Sequence, residues 1–202
     1  MISSLPRRAS TIKYLDRTLL EDPVFAAKYL LGAVIKRTLA DGTVLKARIV
    51  ETESYHQTDP ASHTFRGQSA RNEAMFGEAG HAYVYFTYGM HWCFNVTAGR
   101  EGEGAGVLIR AAEPLEGIEI MRTYRGNAPD KDLTNGPAKL AQALAIDKSL
   151  YGHDLHTAPL EVYDAGNIPQ AAITTATRIG ISLAADKLLR FYITDSPYVS
   201  KK

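Results

Sequence analysis

A single cysteine, Cys93, stands among 202 residues, so no disulfide can form within the chain. A fold stapled for an oxidising compartment is thereby excluded. Long apolar runs are missing as well. The longest candidates are broken by Lys, Arg, Glu or Gly before reaching the roughly 20 residues that cross a bilayer, and Arg7 and Arg8 are followed by no apolar stretch of a secretory signal. We expect an intracellular protein with no membrane span. Excess charge is absent too: 23 Lys and Arg against 22 Asp and Glu give a net charge of +1, unlike proteins that coat nucleic acid non-specifically through clustered cations. Near-neutrality still permits a basic face if folding segregates Arg66, Arg71, Arg110, Arg122, Arg125, Lys139, Arg178 and Arg190.

What is present is an ordinary globular composition, 45% apolar and 22% charged, in a chain of a size that supports one core. No Pro/Gly/Ser-rich linker, internal repeat or low-complexity tract divides it, so residues 1–202 read as a single domain with residues 1–14 as a flexible N-terminal segment. Asp22-Pro23 ahead of Val24 to Leu31 supplies an N-cap and a first-turn proline for a short helix that Gly32 ends. Ala33 to Leu39 and Thr43 to Tyr55 flank Asp41-Gly42, a dipeptide suited to the positive φ angles of a tight hairpin turn. His56 to Gln68, polar and interrupted by Pro60 and Gly67, reads as a loop, and Ser69 is placed to cap a helix from Ala70 to Phe76. Ala82 to Tyr88, Met90 to Thr97 and Gly106 to Ala111 read as strands, Leu115 to Arg125 and Pro137 to Ile146 as helices. Leu160 to Tyr163, Ile173 to Ile181 and Leu189 to Thr194 return to strand. The sum is an α+β fold, a single mixed domain with a curved, mainly antiparallel β-sheet and several helices.

Chemistry-bearing residues concentrate in Arg48-Ile49-Val50-Glu51-Thr52-Glu53-Ser54-Tyr55. Strand alternation puts Glu51, Glu53 and Tyr55 on one face. If that face points inward, its carboxylates need partners or a cleft, because an isolated buried charge is strongly disfavoured; if outward, this is a plain polar strand. Tyr83-Val84-Tyr85-Phe86-Thr87-Tyr88-Gly89-Met90 is dense in tyrosine, which serves as core packing or as a stacking platform for unpaired bases.

Taken in order, Arg48 to Tyr55, Arg71 to Phe76, Tyr83 to Met90, Leu108 to Gly117, Gly136 to Ile146 and Phe191 to Ser200 resemble the alkyladenine (3-methyladenine) DNA glycosylase family. The resemblance implies a mixed domain around an antiparallel sheet that acts on double-stranded DNA containing damaged purines. It implies a monomer with no cofactor and no metal, located in a bacterial cytoplasm at the nucleoid or in a eukaryotic nucleus. The damaged nucleotide is flipped out and its N-glycosidic bond hydrolysed, leaving an abasic site. Glu53 falls at the position of the general base, which activates a water for attack on C1′, and Arg110 beside that water. Tyr55, His63 and Tyr85 fall at positions that sandwich the everted base, Asn95 where guanine is discriminated against, and Tyr88 at an intercalating wedge. Lys139 matches a phosphate-contacting lysine, with Arg71 a second candidate for that work.

Two departures accompany the match: the stretch between Tyr55 and His63 is one residue shorter than in better-known members, leaving His56 as an alternative to His63, and Phe94 stands where some members have methionine. Lys46 is the only lysine in the strand of Glu53, so water rather than a Schiff-base amine is the expected nucleophile. Two rival classes stay open on the residues alone. One is a metal-dependent hydrolase using Glu53, His56, Asp59 and His63; the other is a non-catalytic protein that binds lesions through its tyrosines and basic residues.

Overall fold

The first helix forms where the sequence supplies both signals for it. In the computed structural model, which describes residues 13–87, 89–166 and 168–201, Asp22 accepts hydrogen bonds from the Val24 and Phe25 amides and Pro23 occupies the first turn of α1 (Pro23–Tyr29). Gly32, at φ +87°, then swings the chain into β1 (Val34–Thr38). The hairpin to β2 (Val44–His56) turns differently from expectation. Gly42 alone takes a positive φ, its amide donates to the Leu39 carbonyl at 2.9 Å and the Leu39 amide donates to the Thr43 carbonyl at 2.8 Å. This is a turn closed by a glycine bulge, not one with both central φ angles positive.

The remaining strands are β3 (Ala82–Thr87), β4 (His91–Thr97), β5 (Ala105–Glu116), β6 (Leu160–Tyr163), β7 (Ile173–Ala176) and β8 (Arg190–Ile193). They join in one curled antiparallel sheet of order β3-β4-β5-β2-β1-β6, with β8 added to β2 and β7 to β8. β2 is its spine. One edge pairs with β5, while the other pairs first with β1 and then, at Glu51 to Glu53, with β8. Helices α2 (Ile118–Tyr124) and α3 (Pro137–Ala143) complete the mixed α+β domain.

Several boundaries differ from the sequence reading, each for a local reason. β5 continues through Pro114 to Glu116, because Pro114 faces Ala47 beside a register shift, where a missing amide is tolerated. The expected helix at Leu115 therefore starts only at Ile118, after Gly117 at φ +76°. Ser69 caps nothing: its amide and hydroxyl donate to Asn72 Oδ1, and only a 3-10 turn, Glu73–Phe76, follows. β7 stops at Ala176, and Thr177 to Leu189 are irregular but stay against β2, where the Ile179 amide donates to Glu53 and the Leu189 carbonyl accepts from the Ser54 amide. Of the expected flexible segment, residues 1–12 lie outside the described residues; Lys13 pairs with Asp164 at 2.7 Å and Tyr14 is bridged to Tyr163. Among the described residues no helix is long and apolar enough to cross a membrane.

Alternation along the strands gives the sheet two unlike faces. Val84, Phe94, Val96, Val107 and Ile109 pack into the hydrophobic core with Ala26 and Leu30 of the α1 region and Leu140 and Ala143 of α3. Thr52 turns the same way, its hydroxyl donating to the Ala27 carbonyl at 2.7 Å. Their neighbours Tyr83, Tyr85, Asn95 and Leu108 line a cavity on the other face.

The loop between β2 and β3 is stitched to the β4–β5 turn at Gly104, whose amide donates to Gln57 Oε1 and whose carbonyl accepts from the Thr64 hydroxyl. A Cβ at that position would lie 2.5 Å from the Phe76 ring and 2.7 Å from Thr64 Cβ. We therefore expect Gly104→Ala to destabilise the fold by about 1–3 kcal/mol through overpacking, read by urea unfolding. Undiminished stability would mean that this loop is not held by the contact.

Candidate active site

A row of directly facing residues crosses the sheet: Tyr83 opposite Asn95, Asn95 opposite Leu108, Leu108 opposite Glu53, and Glu53 opposite Arg190. Cross-strand pairs share a face, so this register alone brings residues from five strands together. Arg110 arrives by another device. β5 pairs Ala111 with Glu51 and Ile109 with Thr52, which leaves Arg110 unpaired at a register shift. Such bulges re-aim side chains beside active sites.

The carboxylates lie inward, and the plain polar strand is excluded: Glu51 and Glu53 are both 0% exposed. Glu53 Oε1 accepts from the Ile179 amide at 2.8 Å and lies 3.3 Å from Arg110 Nη1, while Oε2 accepts from the Tyr55 hydroxyl at 2.8 Å. Glu51 has a different company. Its oxygens accept from Arg190 Nη1 at 2.9 Å and from the Ser200 amide at 2.7 Å, and Arg110 Nε lies 3.3 Å away. Two carboxylates thus face two guanidiniums, the balance that burial of charge demands. The Arg110 contacts are longer than the about 2.7–2.9 Å of a tight charge-assisted bond, so its end of the cluster is the loose one.

Above this cluster opens a cavity of about 420 Å³, within the range of about 300–1,000 Å³ usual for small-molecule sites. Tyr55, His63, Tyr83, Tyr85, Asn95 and Arg110 line it, with Met75, Cys93, Leu108 and Pro137 and the segment Ile179 to Ile181. Glu53 itself has no exposed surface and closes the end behind Tyr55 and Arg110. The walls are aromatic and mutually braced: Tyr83 stacks on Tyr85 with centroids 5.5 Å apart, and the His63 ring meets Tyr85 edge-on at 4.6 Å. Asn95 Nδ2 donates to the Tyr83 carbonyl at 3.1 Å.

Environment biases the titrating groups toward neutrality. Burial, reinforced by Glu53, holds the Tyr55 hydroxyl well above its ordinary range, burial does the same at Tyr85, and it pushes Tyr83 up to about 12. The phenols remain donors. His63 is shifted down by burial against the tyrosines and then by the charge of Arg71, so its ring at neutral pH is an uncharged partner of the Tyr83 hydroxyl at 2.9 Å.

Most of the residues singled out from the sequence meet here. Arg110, Tyr55, His63, Tyr85 and Asn95 surround one space, Glu53 is bound to Tyr55 and Arg110 behind its wall, and His63 rather than His56 reaches it, His56 Nδ1 being engaged by Thr58 Oγ1 at 2.9 Å. Lys139, in the first turn of α3 beside Pro137, donates to Asn135 at 2.8 Å, and exposed Arg71 is near enough to bias His63. Tyr88 lies outside the described residues. The four candidate metal ligands do not converge: Asp59 pairs with Arg178 at 2.6 Å, and among the described residues no group of three His, Cys, Asp or Glu could hold a metal ion. The basic face is also thinner than composition allowed, because Arg110, Arg178 and Arg190 are buried in ion pairs and Arg122 pairs with Glu119 and Asp130.

Sequence reasoning missed Asp59, Arg178, Arg190, Ile179 and Ser200 as parts of this site. Their partners are 119 to 149 positions away, as Arg178 is from Asp59 and Ser200 from Glu51, and no local pattern announces such pairings. Tyr83 had a signal: it shares the face of Tyr85 by alternation.

What fold and site define together is a curled antiparallel sheet presenting an aromatic-walled cavity, with a carboxylate–guanidinium cluster behind its wall. Residues 17–197 match the family model described as methylpurine-DNA glycosylase (MPG), and the chain belongs to that family. Relatives bear the name "putative 3-methyladenine DNA glycosylase". One from Carboxydothermus hydrogenoformans is 50% identical over 182 residues, covering 90% of this chain and 95% of its own length. Others come from Methanoculleus marisnigri, 46% identical over 184 residues with 90% and 95% covered, and Mesorhizobium japonicum, 49% identical over 181 residues with 89% and 86% covered.

Proposed function

We propose that this chain is a base-excision-repair glycosylase that hydrolyses the N-glycosidic bond of damaged purines in duplex DNA and leaves an abasic site. The observation that carries the reading is the position of Glu53 at the end of an aromatic slot, hydrogen-bonded to Tyr55 and beside Arg110. A base within the helix stack cannot reach such a slot, so the nucleotide is everted, and Tyr55, Tyr85 and His63 sandwich the purine. Tyr88 is the proposed wedge filling the space left in the duplex, with Lys139 and Arg71 on phosphates.

The reacting atoms follow from the cluster. A water hydrogen-bonded to both Glu53 and Arg110 Nη1, which lie 3.3 Å apart at the loose end of the cluster, attacks C1′ and gives its proton to Glu53 as the bond to the purine nitrogen breaks. The same carboxylate stabilises the oxocarbenium-like character of the sugar. An N3- or N7-alkylated purine is cationic and leaves with the bonding electrons as a neutral molecule. Asn95, fixed by the Tyr83 carbonyl, crowds the 2-amino group of guanine. The protein works as a monomer on DNA.

The test is a panel of duplexes carrying an alkylated purine, hypoxanthine or ethenoadenine, assayed for free base with and without chelator. We expect release of free base, undiminished by chelation and without strand nicking. Tight binding with no release on any member would instead support the lesion-binding alternative.

A further inference from the structure

Behind Tyr55 lies a buried ion pair that the hydrolytic cluster does not use. The Arg178 side chain has no exposed surface, that of Asp59 is 4% exposed, and their charged atoms approach to 2.6 Å. The Arg178 guanidinium lies over the Tyr55 ring at 4.6 Å and is not part of the cavity lining to which that ring belongs. Tyr55 therefore borders the cavity while its ring rests on a cation that lies outside it. Arg178 Nη1 also donates to the Ser54 carbonyl at 3.1 Å, which fixes the guanidinium against β2, while its Nε has no hydrogen-bond partner. Asp59 is held in turn by the Ala61 amide at 3.0 Å, in the loop that carries His63.

We infer that the Asp59–Arg178 pair sets the charge preference of the slot: Asp59 cancels the cation behind Tyr55 and so lets the ring receive a positively charged purine on its open face. A cation is attracted to an aromatic face by the ring quadrupole. With a bare guanidinium beneath the ring, a cationic purine above it would meet a like charge across one ring thickness, in a dry setting that screens poorly. The Asp59 carboxylate removes that repulsion, whereas a neutral purine is almost indifferent to it. Asp59 and Arg178 touch neither water nor sugar, and act through Tyr55 as specificity-determining residues. The inference rests on the reading of the slot as a purine pocket.

Two substitutions test it with opposite signs. In single-turnover assays on duplexes containing 7-methyladenine, which is cationic and has no 2-amino group, or hypoxanthine, which is neutral, Asp59→Asn should lower the ratio of the two release rates by about tenfold. Arg178→Met leaves an anion behind the ring and should raise the same ratio. General damage to the pocket would slow both substrates and cannot drive the ratio in opposite directions, and either variant decides the matter should the other fail to fold. A ratio equal to that of the unaltered protein, or one moving the same way in both variants, overturns the inference. Failure of the unaltered protein to release either base would overturn the glycosylase reading itself.

Discussion

Glu53→Gln should slow release of an alkylated purine by about 10²–10⁴-fold, the contribution of a positioned general base, while leaving affinity for the same duplex little changed. The substitution is nearly isosteric and the surrounding bonds can be kept. A Gln oxygen can still accept from the Ile179 amide and Arg110, and its nitrogen can donate to a Tyr55 hydroxyl rotated to accept. What is lost is the negative charge, and with it the capacity to take a proton and to stabilise the developing cation on the sugar. Single-turnover rates and equilibrium binding, measured on one alkylated duplex, separate these effects. Release at the rate of the unaltered protein would remove Glu53 from the reaction, and loss of binding equal to the loss of rate would make it a structural residue. Glu51→Gln is the natural contrast, since Glu51 is committed to Arg190 and the Ser200 amide.

How far the sequence announced this site depends on the range of each interaction. Alternation in β2 correctly put Glu51, Glu53 and Tyr55 on one face, and the tyrosine-rich strand put Tyr83 beside Tyr85, because strand periodicity is a local rule. The family resemblance supplied Arg110, His63 and Asn95, which alternation could not have gathered. Arg110 in particular reaches the site from a bulge, a departure from regular pairing that no pattern in Leu108 to Ala111 reveals. Pairings across long stretches of chain stayed hidden for the same reason. Arg178 and Arg190 read as candidates for a basic surface, yet they are buried counter-ions, since nothing local says which cations the fold will spend on its own carboxylates. Strand and helix limits failed where a special backbone feature intervened, as at Pro114 in β5 and Gly117 before α2.

Arg110→Met is expected to have the second large effect, on stability as well as on activity. Among the described residues, Arg110 is the only side chain that pairs with both Glu51 and Glu53. Without it two fully buried carboxylates are left with one guanidinium, Arg190, which serves Glu51 alone. Breaking a buried charge pair by removing one partner costs about 3–5 kcal/mol, or about 6–20 °C in Tm for a chain of this length. The physical cause predicts something further. Adding Glu53→Gln to Arg110→Met restores equal numbers of opposite charges, so the double variant should be more stable than Arg110→Met alone, by about 0.5–3 kcal/mol, although both changes remove native groups. Urea unfolding of the two singles and the double closes the cycle. Additive losses would mean that Arg110 contributes packing and not charge, and that the carboxylates are satisfied by Tyr55, Arg190 and the Ile179 and Ser200 amides without it.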